Sequence, residues 1–255
     1  MTRLSSRERI CMTEKLSNEE ILKCQWFDEN YEDIKRRIAE ACKRAGRDPK
    51  EVIMLAATKT VPAAVINHAI ESGVDYIGEN RVQELLSKKD ELLTSAHRHF
   101  IGHLQTNKVK DIVDEVEMIQ SVHSLKLAAE IDKLCRKKGK VMDILVEVNV
   151  GNEESKSGFS ASEVEAAILE MAKMPNIRVK GLMSIPPICE KVQELRQYFA
   201  ILSKLFIDIK AKKVDNVDIV YLSMGMSGDF EDAIQYGANI VRIGTSLFGP
   251  RNYNK

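Results

Sequence analysis

Short, nearly unbroken apolar runs recur along the chain at residues 52–57, 76–77, 99–101, 118–119, 144–148, 179–183, 219–222 and 240–243. Continuous rather than alternating hydrophobicity is the pattern of parallel strands covered on both faces. Between the runs, apolar positions take up helical spacing, as in Val65, Ala69 and Ile70 ahead of Gly73, or Leu125, Ala128, Ala129 and Leu134 ahead of Gly139. Every connection is long enough for a crossover helix. Ahead of the first run, Phe27, Tyr31, Ile34 and Ile38 recur at steps of four, three and four, which predicts one face of a helix over residues 16–45 that ends near Gly46. Eight strand–helix units behind one leading helix predict an α/β fold, a (β/α)8 barrel of the TIM type with an extra N-terminal helix. An open, doubly wound sheet is the alternative, because periodicity does not show that a sheet closes.

At 255 residues the chain accommodates such a barrel as one domain. The expected division is a flexible leader over residues 1–16 and the barrel with its helix over 17–255. The leader has arginines but no apolar stretch, and Glu8 and Glu14 count against a transit peptide. No window approaches the length of a membrane span. Lys plus Arg and Asp plus Glu balance at 38 each, so there is no overall field to hold a nucleic acid or an anionic membrane. Five cysteines without a C-x-x-C pair point to reduced thiols, not to a disulfide framework or a zinc site, and a cytoplasmic location is expected.

In a barrel of this kind the chemistry sits at the C-terminal ends of the strands and in the loops that follow. Those positions read Thr58-Lys59, Gly78-Glu79-Asn80, Gly102-His103, Ser121-Val122-His123, Asn149, Ser184, residues 223–228, and Gly244-Thr245, so polar residues and glycines gather at one end. Lys59 leaves a six-residue apolar run at the mouth. Partial desolvation there favours a neutral amine, the form that condenses with an aldehyde; the plainer reading is a lysine reaching solvent from a strand end. The loops after strands 7 and 8 are where barrels most often hold phosphate. Ser223, Ser227 and Gly228 stand in the first, with Ser227 as a candidate helix N-cap, and the Gly244-Thr245 amides in the second. Asp229 and Glu231 would compete with an anion unless they point away. Arg242 is either a lumenal cation that needs a partner or an outward, salt-bridged strand arginine. His97, His99 and His103 lack a matching carboxylate cluster, so no metal site is expected. Lys156 reads as a solvated loop lysine that could overhang the mouth. The first strand is followed by no G-x-G-x-x-G, and no Walker A sequence occurs.

Taken together, Ala57-Thr58-Lys59-Thr60, Gly78-Glu79-Asn80-Arg81-Val82-Gln83-Glu84, Phe100-Ile101-Gly102-His103, Glu154-Ser155-Lys156-Ser157-Gly158, Gly181-Leu182-Met183, Ser223-Met224-Gly225-Met226-Ser227 and Arg242-Ile243-Gly244-Thr245 resemble the pyridoxal phosphate homeostasis protein family, relatives of the barrel in alanine racemases. The resemblance runs from about residue 20 to 253, and Gly228 departs from a common alanine. It implies that Lys59 holds pyridoxal 5′-phosphate as an aldimine, that Ser227 with the Gly244-Thr245 backbone holds the phosphate, that Arg242 faces the pyridine nitrogen, and that Asn80, Met183 and Ser223 line the cofactor. The implied role is intracellular vitamin B6 homeostasis with indirect effects on amino-acid metabolism, as a monomer, with apo forms of cofactor-dependent enzymes as recipients.

Two considerations favour a carrier over an enzyme. A guanidinium does not surrender its proton, so the ring nitrogen would stay unprotonated and the ring a weak electron sink. The β domain that supplies the second acid or base in racemases is also not expected, because the chain ends ten residues after Thr245. A racemase or decarboxylase is the alternative, with His103 as its candidate base. A Schiff-base aldolase is the third reading.

Overall fold

The computed structural model describes residues 16–250. Most of the expected leader, with Cys11, lies outside the described residues. Helix α1 (Asn18–Arg44) starts at a capping box, in which Ser17 N–H donates to Glu20 Oε2 at 2.8 Å while Glu20 N–H reaches the Ser17 hydroxyl. Eight strands follow in chain order: β1 (Ile53–Ala57), β2 (Tyr76–Glu79), β3 (His97–Phe100), β4 (Met118–Val122), β5 (Met142–Glu147), β6 (Ile177–Met183), β7 (Val217–Met226) and β8 (Ile240–Ile243). Each pairs in parallel with the next and β8 pairs with β1, so the sheet closes, and the open-sheet alternative falls. The helices between them are α2 (Ala63–Glu71), α3 (Val82–Lys88), α4 (Val109–Ile112), α5 (Leu125–Lys138), α6 (Val164–Met171), α7 (Val192–Ala211) and α8 (Phe230–Gln235), with a last turn α9 (Thr245–Phe248).

Two apolar layers result from the alternation of side chains along each strand. Leu55, Ile101, Met118, Leu145, Met183 and Ile240 fill the lumen, while a larger core lies between strands and helices. Helix α1 packs its buried face on α2, α8 and α9 and so covers the outside of the seam where β8 meets β1. There Phe27 stacks on Phe248 at 5.8 Å and on Tyr31 at 5.0 Å. Burying a ring of this size contributes about 1.5–3 kcal/mol, so Phe27 is an anchor of the helix.

Some strand ends differ from those the hydrophobic runs predict. Strand β7 continues through Ser223–Met226, which the runs leave to a loop, because a register shift against β8 between Ser223 and Met226 lets the chain keep pairing, Ser223 with Ile240 and Met226 with Arg242. Gly225 makes the bulge possible: its φ is 91°, and a Cβ there would meet Ala233 Cβ at 2.5 Å. Gly78 and Glu79 likewise belong to β2, and Ser121 and Val122 to β4. No helix among the described residues is long and apolar enough to cross a membrane.

Candidate functional site

Strand β1 turns Ile53, Leu55 and Ala57 toward the lumen, which brings Lys59 to the mouth by the same alternation. Lys59 is partly buried, and its amine makes no hydrogen bond or ion pair among the described residues. It shares a small cleft with Ala57, Thr60, Gly244, Thr245 and Phe248, so the ends of β1 and β8 meet where the sequence places the lysine and the candidate phosphate loop.

Arg242 faces the lumen and is 4% exposed, which decides between its two sequence readings. Its Nη1 donates to Ser223 Oγ at 2.6 Å and its Nη2 to the Ser184 carbonyl at 2.8 Å. The Ser223 hydroxyl in turn donates to Gln120 Oε1 at 2.7 Å. Because that oxygen accepts, Gln120 Nε2 must donate to His99 Nδ1, 2.8 Å away, and the proton of neutral His99 therefore sits on Nε2. Burial pushes His99 down to about 4, which keeps it an acceptor at neutral pH. A one-way chain of donors thus crosses the lumen from β8 through β7 and β4 to β3. Burial also pushes Arg242 down, to about 10, against the pull of Asp229 and Glu147; the guanidinium remains charged at pH 7.

Ser227 is not the N-cap that the sequence suggests. Asp229 holds that position, and its carboxylate accepts the Met226 N–H instead of capping the helix. The Ser227 hydroxyl accepts from the Gly244 and Ser246 amides at 3.3 and 3.2 Å, so the two loops expected to hold phosphate are joined through one side chain. Glu231 turns away to Arg37 of α1 at 2.8 Å, which removes one of the two competing carboxylates. Asn80 follows β2 at the rim, where Gly102 supports it closely: a Cβ on Gly102 would come within 2.0 Å of the Asn80 carbonyl oxygen. Met183 lies deeper, wholly buried among the lumen residues.

Sequence reasoning missed Glu147. It ends β5 two residues after lumenal Leu145, four strands round the closed barrel from β1. Burial raises its carboxyl from 4.5 to about 7 despite Arg242, and its Oε2 has no hydrogen-bond partner among the described residues. The signal was present in the alternation, since a glutamate in phase with a buried leucine at a strand end faces the lumen. Gln120 and His99, which continue the hydrogen-bonded chain from Arg242 through Ser223, were also missed. His103 instead stacks on His123 at 4.6 Å and meets Ser157 Oγ at 2.9 Å, while Lys156 donates to the Pro186 carbonyl and pairs with Glu153. Among the described residues no cluster of His, Cys, Asp or Glu could hold a metal ion.

The family model for the alanine racemase N-terminal domain matches residues 30–252. The pyridoxal phosphate homeostasis protein of Aquifex aeolicus is 45% identical over 226 residues, which are 88% of this chain and 98% of that protein. A solved structure of an unknown protein from Bifidobacterium adolescentis superposes with a TM-score of 0.86 at 33% identity, covering 91% of this chain and 97% of that one. PipY of Synechococcus elongatus, solved with PLP bound, gives a TM-score of 0.74 at 31% identity over 83% of this chain and 100% of its own.

Proposed function

This chain belongs to the alanine racemase N-terminal domain family and, within it, to the pyridoxal phosphate homeostasis proteins, and from that premise we propose that it holds pyridoxal 5′-phosphate at the barrel mouth through Lys59 and passes it on. The observation that carries the reading is the convergence on adjacent strands β7, β8 and β1 of a serine–amide cradle, a buried guanidinium and an amine without a partner among the described residues. Those groups fit the cofactor's phosphate, ring heteroatom and carbonyl in turn, and the unpartnered Oε2 of Glu147 leaves one more polar contact open.

When bound, the cofactor supplies an aldehyde that condenses with an amine and a ring that withdraws electrons. The residues divide the remaining work. Ser227 and the Gly244, Thr245 and Ser246 backbone hold the phosphate, while Ser223 and Ser184 fix the direction in which Arg242 donates. Asn80 and Met183 close the sides, and Lys59 presents the nucleophile. Arg242 keeps its proton at neutral pH, so it orients the ring without making it a strong electron sink. That favours retention and delivery of the cofactor in the cytoplasm, by a monomer of one domain, to apoenzymes as recipients. Adding the cofactor to the purified protein should produce an imine absorbance that borohydride removes. A protein that stays colourless, or that cannot pass the cofactor to an apoenzyme, contradicts the reading.

One observation favours a second reading, an enzyme acting on amino acids. Glu147, raised to about 7, gives the lumen an acid or base poised for proton transfer across from Lys59. Deuterium exchange at the α-carbon of amino acids, lost in Glu147→Gln, would establish that reading; no exchange with any amino acid leaves the carrier.

A further inference from the structure

The turn that carries Lys59 adopts a backbone that its sequence does not favour. Val61 N–H donates to the Thr58 carbonyl at 3.0 Å, placing Lys59 and Thr60 at the corners. Thr60 has φ 63°, the left-handed region in which turns place Gly or Asn. A β-branched residue there is strained, and such a conformation persists only where the surroundings impose it. Helix α3 imposes it here: Thr60 N–H donates to Glu84 Oε2 at 2.7 Å.

Glu84 is braced in its turn. Lys88 Nζ lies 3.6 Å from Glu84 Oε2, 2.9 Å from Glu79 Oε1 and 3.2 Å from the Thr58 carbonyl. Glu79 Oε1 also accepts the Thr58 hydroxyl at 2.8 Å, and Arg81 approaches Glu84 at 3.8 Å. The residue before Lys59 is therefore tied to Glu79, the residue after it to Glu84, and one ammonium joins the two carboxylates. A helical Glu–Lys pair four residues apart stabilises a helix only slightly, and helix stability alone does not call for a carboxylate on a loop amide.

We propose that Glu84, braced by Lys88 and Glu79, is a positioning residue that locks Thr60 in the left-handed conformation and thereby aims the Lys59 amine into the barrel mouth. Its purpose rests on the cofactor reading above; its geometry does not. A nucleophile misdirected by a released turn loses rate, whereas affinity for a ligand held by the β7 and β8 loops stays as it was.

The test uses the full chain and two readouts: hydrogen exchange of the Thr60 amide without ligand, and the rate of attachment of pyridoxal 5′-phosphate set against affinity for pyridoxine 5′-phosphate, which has no carbonyl. Glu84→Ala should speed Thr60 exchange and slow attachment, each about tenfold, with pyridoxine 5′-phosphate affinity unchanged within about twofold. Adding Thr60→Gly should recover at least about half of the lost rate, because glycine takes positive φ without a clamp. Should Glu84→Ala not fold, Glu84→Gln, which keeps an acceptor but not its charge, gives the same pattern at about threefold. An unchanged exchange or attachment rate, an equal loss of pyridoxine 5′-phosphate affinity, or no recovery with glycine overturns the proposal. If the wild type attaches no pyridoxal 5′-phosphate, the cofactor reading fails, and Thr60 exchange in the same variants still decides the clamp.

Discussion

At the N-terminal end of the barrel His97 pairs with Glu117 at 2.7 Å, Arg178 with Asp143 at 2.8 Å and Lys180 with Asp218, whereas at the C-terminal end Arg242, Lys59 and Glu147 converge without a direct ion pair among the described residues. The lower charges are answered by neighbours on the same fold and stay close to solvent, where such pairs stabilise little. The upper charges include a wholly buried guanidinium and a mostly buried carboxyl that a folding requirement alone would not retain, since unpaired buried charge is costly. The difference separates charge used for solubility and register from charge held ready for a ligand. It also explains why the clamp beside Lys59 is built from paired groups: Lys88 joins Glu79 to Glu84, and among the described residues none of the three engages the Lys59 amine.

The largest effect is expected for Arg242→Met. Affinity for pyridoxal 5′-phosphate should fall about a hundredfold, while the unfolding midpoint changes little, because the lost hydrogen bonds are offset by relief of buried charge. A large loss of stability with affinity intact would make Arg242 a structural arginine. Glu147→Gln comes next. The wild-type carboxyl is raised from 4.5 to about 7, so the native state binds a proton that the unfolded chain has released. Below pH 4.5 both states are protonated and there is no penalty; as pH rises toward 7, stability falls, and above that the penalty is constant. The glutamine variant should lack this decline and gain about 2 kcal/mol at pH 8, with allowance for partial exposure. Urea melts at pH 4.5 and 8 read it directly.

Gln120→Leu sharpens the account of how Arg242 is aimed. It leaves the Ser223 hydroxyl proton without its acceptor and His99 Nδ1 without its donor, while Arg242 still donates to Ser223 Oγ, which should cost about 1–2 kcal/mol of stability and weaken cofactor binding less than loss of Arg242 itself. Gln120→Glu should behave differently, since a carboxylate still accepts from Ser223 but can meet His99 only if its proton moves to Nδ1, a change visible by nitrogen NMR of the ring. The smallest effect is expected at the other end. Arg178→Ala should cost less than about 1 kcal/mol and leave cofactor binding unchanged; a marked loss of binding would erase the contrast between the ends.

The barrel was legible because strands buried on both faces write themselves as apolar runs, and because Lys59, Ser227, Arg242 and Gly244 stand at or near the ends of those runs. What was not legible depends on closure and register. Ser223–Met226 continue β7 only because a bulge shifts its register against β8, which no local pattern encodes. The route from Arg242 to Gln120 and His99 spans strands far apart in sequence that meet across the lumen. Glu147 was readable in principle from its phase with Leu145, but the apolar run continues past it to Val148, so the position after the run is Asn149 while the strand itself ends at Glu147. The clamp on Thr60 combines a backbone angle with a helix carboxylate 24 positions away, and neither shows in the hydrophobic pattern.

The most direct test of the central claim is to load the protein with pyridoxal 5′-phosphate, reduce it with borohydride and map the adduct by peptide mass analysis. The account predicts a single phosphopyridoxyl group on Lys59, absent in Lys59→Ala, which loses the imine absorbance with it. An adduct spread over surface lysines, or one that persists in Lys59→Ala, would contradict it.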